Sequence, residues 1–139
     1  DIDILLIDMP PGTGDVSISL SQFLKYFENI VVTTPQTNAT IVAERSGIMS
    51  KKVNASIIGV IENMSYMEVD KNKLYPFGKD GGKQLANEYS LELLAQLPLV
   101  EVEENFKLQD NPILKSEFVK MTGCEKLIKS DEIKRNALC

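Results

Sequence analysis

A three-layer α/β fold around a mostly parallel sheet follows from two features of this 139-residue sequence. Short, nearly continuous aliphatic runs alternate with longer segments whose apolar residues recur at helical spacing. Strands buried on both faces, joined by crossover helices, read in this way. The runs also tend to end at Asp, Asn or Pro, where parallel strands hand over to loops.

Ile4-Leu5-Leu6-Ile7 ends at Asp8 and predicts the first strand. From Asp15, a plausible N-cap, the residues Val16, Leu20, Phe23, Leu24 and Phe27 form one stripe of an amphipathic helix. Ile30 to Thr34 is a second strand, closed by Pro35 and followed by a helix from about Asn38 to Lys52. Ser56 to Ile61 is a third strand, ending at Glu62-Asn63. Met64 to Gly82 reads as irregular, Lys83 to Tyr89 as a short helix, and Leu91 to Leu97 as a fourth strand before Pro98. A polar loop through Asn111-Pro112 leads to a last helix from about Ser116 to Lys129. Residues 1–139 are expected to form one domain. The start at Asp1, without a Met and directly into an apolar run, predicts the inner part of something longer.

Composition narrows the function classes. Lys+Arg number 15 against 20 Asp+Glu, for a net charge of −5, with 43% hydrophobic and 25% charged residues. That is globular composition, and the acidic balance argues against a nucleic-acid or anionic-membrane surface as the main activity. No apolar run approaches the roughly 18 residues of a membrane span. The two cysteines, Cys124 and Cys139, make no disulfide framework, so a cytoplasmic location is expected. With no His in the chain, His-based triads and metal sites are excluded.

In a parallel α/β sheet ligands bind outside the carboxyl ends of the strands. The candidate residues are therefore Asp8 to Asp15, Thr34 to Thr37, Glu62 to Ser65, and Pro98 onward. A carboxylate at Asp8 can hold Mg²⁺ through water, and Gly12 and Gly14 let backbone N–H groups approach a phosphate. The bland alternative is an Asp opening a tight turn. Asn63 offers a donor and an acceptor, which suits an adenine edge; its alternative is a cap on the strand–loop junction. Gly78 to Gln84 fails as a phosphate loop, because the glycine spacing is wrong and no strand precedes it. Asp70-Lys71-Asn72 fails as a calcium loop, with Leu74 and Tyr75 where an oxygen ligand and the turn glycine belong. Glu101 to Glu104 reads as a solvated loop face.

From Asp8-Met9-Pro10-Pro11-Gly12-Thr13-Gly14-Asp15 onward the chain resembles the Mrp/ApbC-type P-loop ATPases, relatives of MinD and ParA. The resemblance continues through Val32 to Gln36, Arg45 to Ile48, Gly59 to Tyr66, Phe77-Gly78, Gly81 to Ala86, Leu97 to Leu99 and Asn111 to Ile113. It implies a partial P-loop NTPase fold, the C-terminal part of the domain, without the phosphate loop and its lysines. It implies ATP and Mg²⁺ as cofactors of the intact parent, a homodimer, and service in iron–sulfur cluster assembly toward apo-protein targets. By the same resemblance Asp8 is the Mg²⁺-supporting carboxylate, Gly12 and Gly14 lie in the phosphate-sensing switch loop, with Asp15 as switch residue or helix cap, Asn63 reads adenine, and the loop after Pro98 lies along the base.

Two departures bear on activity. Without the phosphate loop this chain alone is not expected to hydrolyse ATP. Many members carry a Cys-x-x-Cys pair after Asn-Met-Ser-Tyr, whereas Met67 to Tyr75 contains no Cys, so the resemblance gives no thiolate ligands for a cluster there. The rival functions are a MinD/ParA-like positioning ATPase and a non-catalytic interaction module. The family's sheet also places the missing strand between those ending at Asp8 and Thr34. Its removal predicts a gap of about 9–10 Å, to be closed by movement, a second chain or the missing half.

Overall fold

The computed structural model describes residues 5–9, 15–24, 27–52, 56–101 and 111–122. Among them the elements run α1 (Asp15–Phe23), β1 (Glu28–Thr33), α2 (Thr37–Lys52), β2 (Ser56–Glu62), β3 (Met67–Val69), β4 (Asn72–Leu74), α3 (Gly81–Glu88), β5 (Leu93–Gln96) and α4 (Pro112–Thr122). The main sheet has the order β1-β2-β5 with both pairings parallel, and β3-β4 is a separate antiparallel hairpin. The parallel α/β architecture is the one expected.

β2 is central because its sequence suits a strand with neighbours on both sides. Its last four residues, Gly59 to Glu62, are all buried. Gly59 is required by its surroundings: a Cβ there would lie 2.6 Å from the Leu94 side chain and 2.7 Å from the Glu92 carbonyl oxygen. Register pairs Val31 with Val60 and Thr33 with Glu62, so these four side chains share one face. Helix α2 packs against β1 and β2, α3 against β2, β5 and α2, and α4 against β5. Val31, Ala43, Val60, Leu85 and Ala86 form the core, with Ile57, Tyr89, Leu91 and Leu93 packed around it. On β1 the other face is open, with Val32 58% exposed.

Four expectations are corrected. Leu5 to Met9 form no strand, and Leu6 is 84% exposed. An aliphatic run becomes a strand only where a neighbour satisfies its backbone groups, and none of the described strands pairs with it. The stretch read as irregular contains the β3–β4 hairpin, whose two tip residues, Asp70 and Lys71, take positive φ without a glycine. The last helix begins at Pro112, because the Asn111 carboxamide oxygen accepts from the Ile113 and Leu114 N–H groups at 3.1 and 3.0 Å. Asn at the N-cap followed by Pro is a strong helix start. Finally, α3 begins at Gly81 rather than Lys83, for a reason that lies in the site.

Candidate functional site

The carboxyl ends of the three parallel strands converge through backbone bonds. The Asn63 N–H donates to the Thr33 carbonyl at 2.7 Å, tying the end of β2 to β1. Across the other edge, Leu97 N–H donates to the Glu62 carbonyl and Ser65 N–H donates to the Leu97 carbonyl, both at 2.8 Å. Leu97 therefore closes both sides of a two-residue excursion, Asn63-Met64, and Pro98 follows directly. Leu99 N–H then bonds the Tyr66 carbonyl at 2.7 Å, so the pairing resumes beyond the excursion.

The turn is held open from within. Met64 has φ 53°, and its N–H donates to the Asn63 side-chain oxygen at 2.9 Å. That bond fixes the carboxamide plane and leaves Asn63 Nδ2 as a donor beside an Oδ1 with one lone pair in hand. Asn63 is half-buried and Pro98 buried. The structure thus brings these two expected site residues onto adjoining segments.

Beneath the turn lies the carboxylate of Glu62, a residue the sequence places at a strand end without giving it a role. Glu62 is 0% exposed. Its Oε1 accepts from the Ser65 hydroxyl at 2.5 Å and from the Gln96 amide at 2.9 Å, and its Oε2 accepts from the Gly82 N–H at 2.5 Å. Gln96 also donates to Ser65 Oγ at 3.3 Å. Burying a carboxylate is costly unless its oxygens are hydrogen-bonded, and here three donors serve them. The Gly82 bond explains the start of α3. Its N-cap residue, Asp80, has left-handed backbone (φ 60°) and makes no side-chain cap. Glu62 caps the helix from another element, with negative charge at the positive end of the helix dipole.

Glycine is obligatory where α3 meets these strands. A Cβ on Gly82 would lie 2.8 Å from the Glu62 Cβ, and one on Gly81 would lie 2.4 Å from the Pro35 carbonyl oxygen. The Gly81-Gly82 pair is therefore a close-approach device between α3 and the ends of β1 and β2.

The other expected residues stand apart. Asp8 is exposed in the strandless segment, and Asp15 is exposed in the first turn of α1. Gly12 and Gly14 lie outside the described residues, as does Cys124. Among the described residues no three His, Cys, Asp or Glu side chains gather into a metal-binding group. None of the helices among them is long and apolar enough to cross a membrane. Met67 to Leu74, in the segment noted above for its lack of Cys, forms the hairpin, with Lys73 Nζ 3.7 Å from the centre of the Tyr66 ring.

A parallel sheet with its loops gathered at the strand ends is the architecture of the P-loop NTPase class. One solved structure supports this: a nucleotide-binding protein from Archaeoglobus fulgidus in complex with ADP, with a TM-score of 0.58 at 26% identity, covering 88% of this chain and 46% of that one. The family model for the ParA-type, NUBPL iron-transfer P-loop NTPases matches residues 1–129, and the chain belongs to that family. Among its relatives are the iron–sulfur cluster carrier proteins of Mycobacterium leprae (45% identical over 106 residues, covering 71% of this chain and 28% of the relative) and Bacillus subtilis (43% over 101 residues, 71% and 29%). The mouse iron–sulfur cluster transfer protein NUBPL is 40% identical over 100 residues, with 70% and 31% covered. The chain spans less than a third of the length of these relatives.

Proposed function

We propose that this chain supplies the base-binding and switch portion of an ATP-binding and ATP-hydrolysing protein that serves iron–sulfur cluster assembly. The observation that carries this reading is the Asn63-Met64 excursion. Leu97 clamps it on both sides and sets Asn63 beside the Pro98 segment, at the strand ends where an α/β sheet receives ligands. Asn63 Nδ2 donates to a ring nitrogen of adenine and Oδ1 accepts from its amino group, while guanine presents the reverse pattern. The segment after buried Pro98, with half-buried Leu99 and Val100, provides the apolar surface along the base.

Asp8 suits the magnesium ion. A water-held Mg²⁺ needs only one or two protein carboxylates, the rest of its shell coming from water and phosphate oxygens, and Asp8 is an exposed carboxylate. Asp8 would hold such an ion through water, and the ion would supply positive charge against the terminal phosphates. Gly12 and Gly14 supply the backbone N–H groups that sense the terminal phosphate, and Asp15, the first residue of α1, places a negative charge at the positive end of that helix. The phosphate-cradling amides and lysines come from polypeptide beyond these 139 residues. The cluster is cargo, handed to apo-protein targets by a cytoplasmic homodimer. The hairpin 67–74 provides no thiolates for it.

The test is ATP and GTP affinity of the natural gene product and its Asn63→Ala variant by calorimetry. The ATP-over-GTP preference is expected to fall about tenfold in the variant, the worth of one or two hydrogen bonds. An unchanged preference removes Asn63 from the base site, and a wild-type protein that binds neither nucleotide overturns the whole reading.

A further inference from the structure

We infer that Glu62 is the positioning residue for the base-reading turn, acting through Ser65 and Gln96 rather than by touching the nucleotide; the inference rests on the reading just given. Glu62 is the residue before Asn63, and its buried carboxylate joins four segments. Through its own backbone it holds β2, through Ser65 the far side of the turn, through Gln96 the end of β5, and through Gly82 the start of α3. Its carbonyl oxygen also accepts one of the two Leu97 bonds that close the excursion. The side chain and main chain of one residue thereby fix both ends of a two-residue turn.

The turn needs this support. Met64 adopts a left-handed backbone that a side-chain-bearing residue does not favour, and the Asn63–Met64 bond is local and solvent-accessible. Such a turn keeps one shape only if its ends are held independently of it. Ser65 is held twice, by its N–H on Leu97 and by its hydroxyl on Glu62. Without the carboxylate, the Ser65 hydroxyl and the Gly82 N–H, both buried, lose their acceptor, and the half-buried Gln96 amide keeps only the longer bond to Ser65 Oγ. The Ser65 hydroxyl and Gln96 amide can rotate toward water, whereas the Gly82 N–H cannot. The change therefore spreads into the α3 junction and the 97–99 segment, and the Asn63 carboxamide is no longer presented in one orientation.

Glutamine at this position separates positioning from charge. Glu62→Gln keeps the length of the side chain and an oxygen for the Gly82 N–H. Its amide group then faces Ser65 Oγ, which can accept, and Gln96 can turn its own oxygen inward. Glu62→Gln is expected to keep most of the base preference, and Glu62→Ala to lose it.

The experiment uses the natural gene product as wild type, Glu62→Ala, Glu62→Gln and the milder Ser65→Ala. Two measurements are made: the ATP-over-GTP affinity ratio, and amide hydrogen exchange of Asn63, Ser65 and Leu97 against Val60, whose N–H is bonded to the Glu92 carbonyl away from the turn. The expected result is a fall of about tenfold in the ratio for Glu62→Ala and about threefold for Ser65→Ala, with Glu62→Gln near wild type. Exchange at the three turn amides should rise at least that much more than at Val60. A merely structural role would lower stability and weaken both nucleotides together, leaving the ratio unchanged; that result overturns the inference and spares the nucleotide reading. A wild-type protein with no preference for ATP overturns both. If Glu62→Ala fails to fold, Ser65→Ala decides: an unchanged ratio and unchanged turn exchange overturn the inference.

Discussion

Ile57-Ile58-Gly59-Val60-Ile61 and Leu5-Leu6-Ile7 are alike in apolar content, and the chain treats them oppositely. The first lies in the central strand of the sheet, its last three residues buried and bonded to strands on both sides. The second belongs to none of the described strands, with Leu6 almost fully exposed. Local sequence marks which segments are able to be buried, but a strand exists only with a partner for its backbone groups. The same contrast separates the two helices at the extremes of burial. α3 is wedged against two strand ends through glycine and capped by a carboxylate from β2, while α1 leaves Phe23 83% exposed. Among the described residues the expected gap between the Asp8 strand and β1 does not arise, because residues 5–9 form no strand.

The contrast can be broken at its tightest point. Gly81→Ala should cost about 3 kcal/mol, because the new Cβ meets backbone, the Pro35 carbonyl, rather than a side chain able to move. Urea denaturation measures it, and a loss below about 1 kcal/mol would mean that α3 is not wedged as described.

A smaller effect sharpens how α3 is held at its other end. The Tyr89 hydroxyl donates to Glu44 Oε1 at 2.7 Å, joining the end of α3 to α2. That bond, then burial, then the charges of Glu44 and Glu88 push the Tyr89 phenol up to about 12. The protonated phenol is the form the fold favours. Its contribution is therefore complete below the ordinary tyrosine value of 10.0 and is lost as pH rises from there to about 12. Tyr89→Phe should flatten that part of the alkaline melting-temperature profile. A profile as steep as wild type between pH 10 and 12 would remove Tyr89 from the linkage.

The smallest effect belongs to the exposed segment. In the 139-residue chain, Leu6→Ser should change stability by less than about 0.5 kcal/mol. A loss of about 2 kcal/mol, the value of a buried leucine, would show that Leu6 has a cover in solution and would dissolve the comparison.

Where sequence reasoning succeeded and failed follows the range of the interactions involved. β1, α2, β2 and β5 were legible because alternating aliphatic and amphipathic segments are local signals, and the convergence of strand ends follows from parallel topology. The start of α4 was equally local, since Asn111-Pro112 is itself a cap and a first-turn proline, though a reading that takes the pair as loop places the helix four residues late. The start of α3 was not legible, because its cap, Glu62, lies 20 residues away along the chain. The hairpin was hidden for a different reason: Asp70 and Lys71 occupy a turn that usually advertises itself with Asn-Gly. Asn63 and Pro98 were legible as strand-end residues, whereas the carboxylate organising them looks in sequence like one more polar residue ending a strand.

That hairpin also makes the molecule easy to extend. Its base is anchored on one side by buried Tyr66, bonded to Leu99, and on the other by the packing of Gly81 on Pro35. Its tip is exposed and held in left-handed backbone by two residues with side chains. Extra residues spliced between Asp70 and Lys71 would relieve that local conformation. They would also add only about 0.6 kcal/mol of closure entropy for each doubling of loop length. The tip is thus a graft point, where a reporter peptide or a recognition loop could be carried without disturbing the strand ends below.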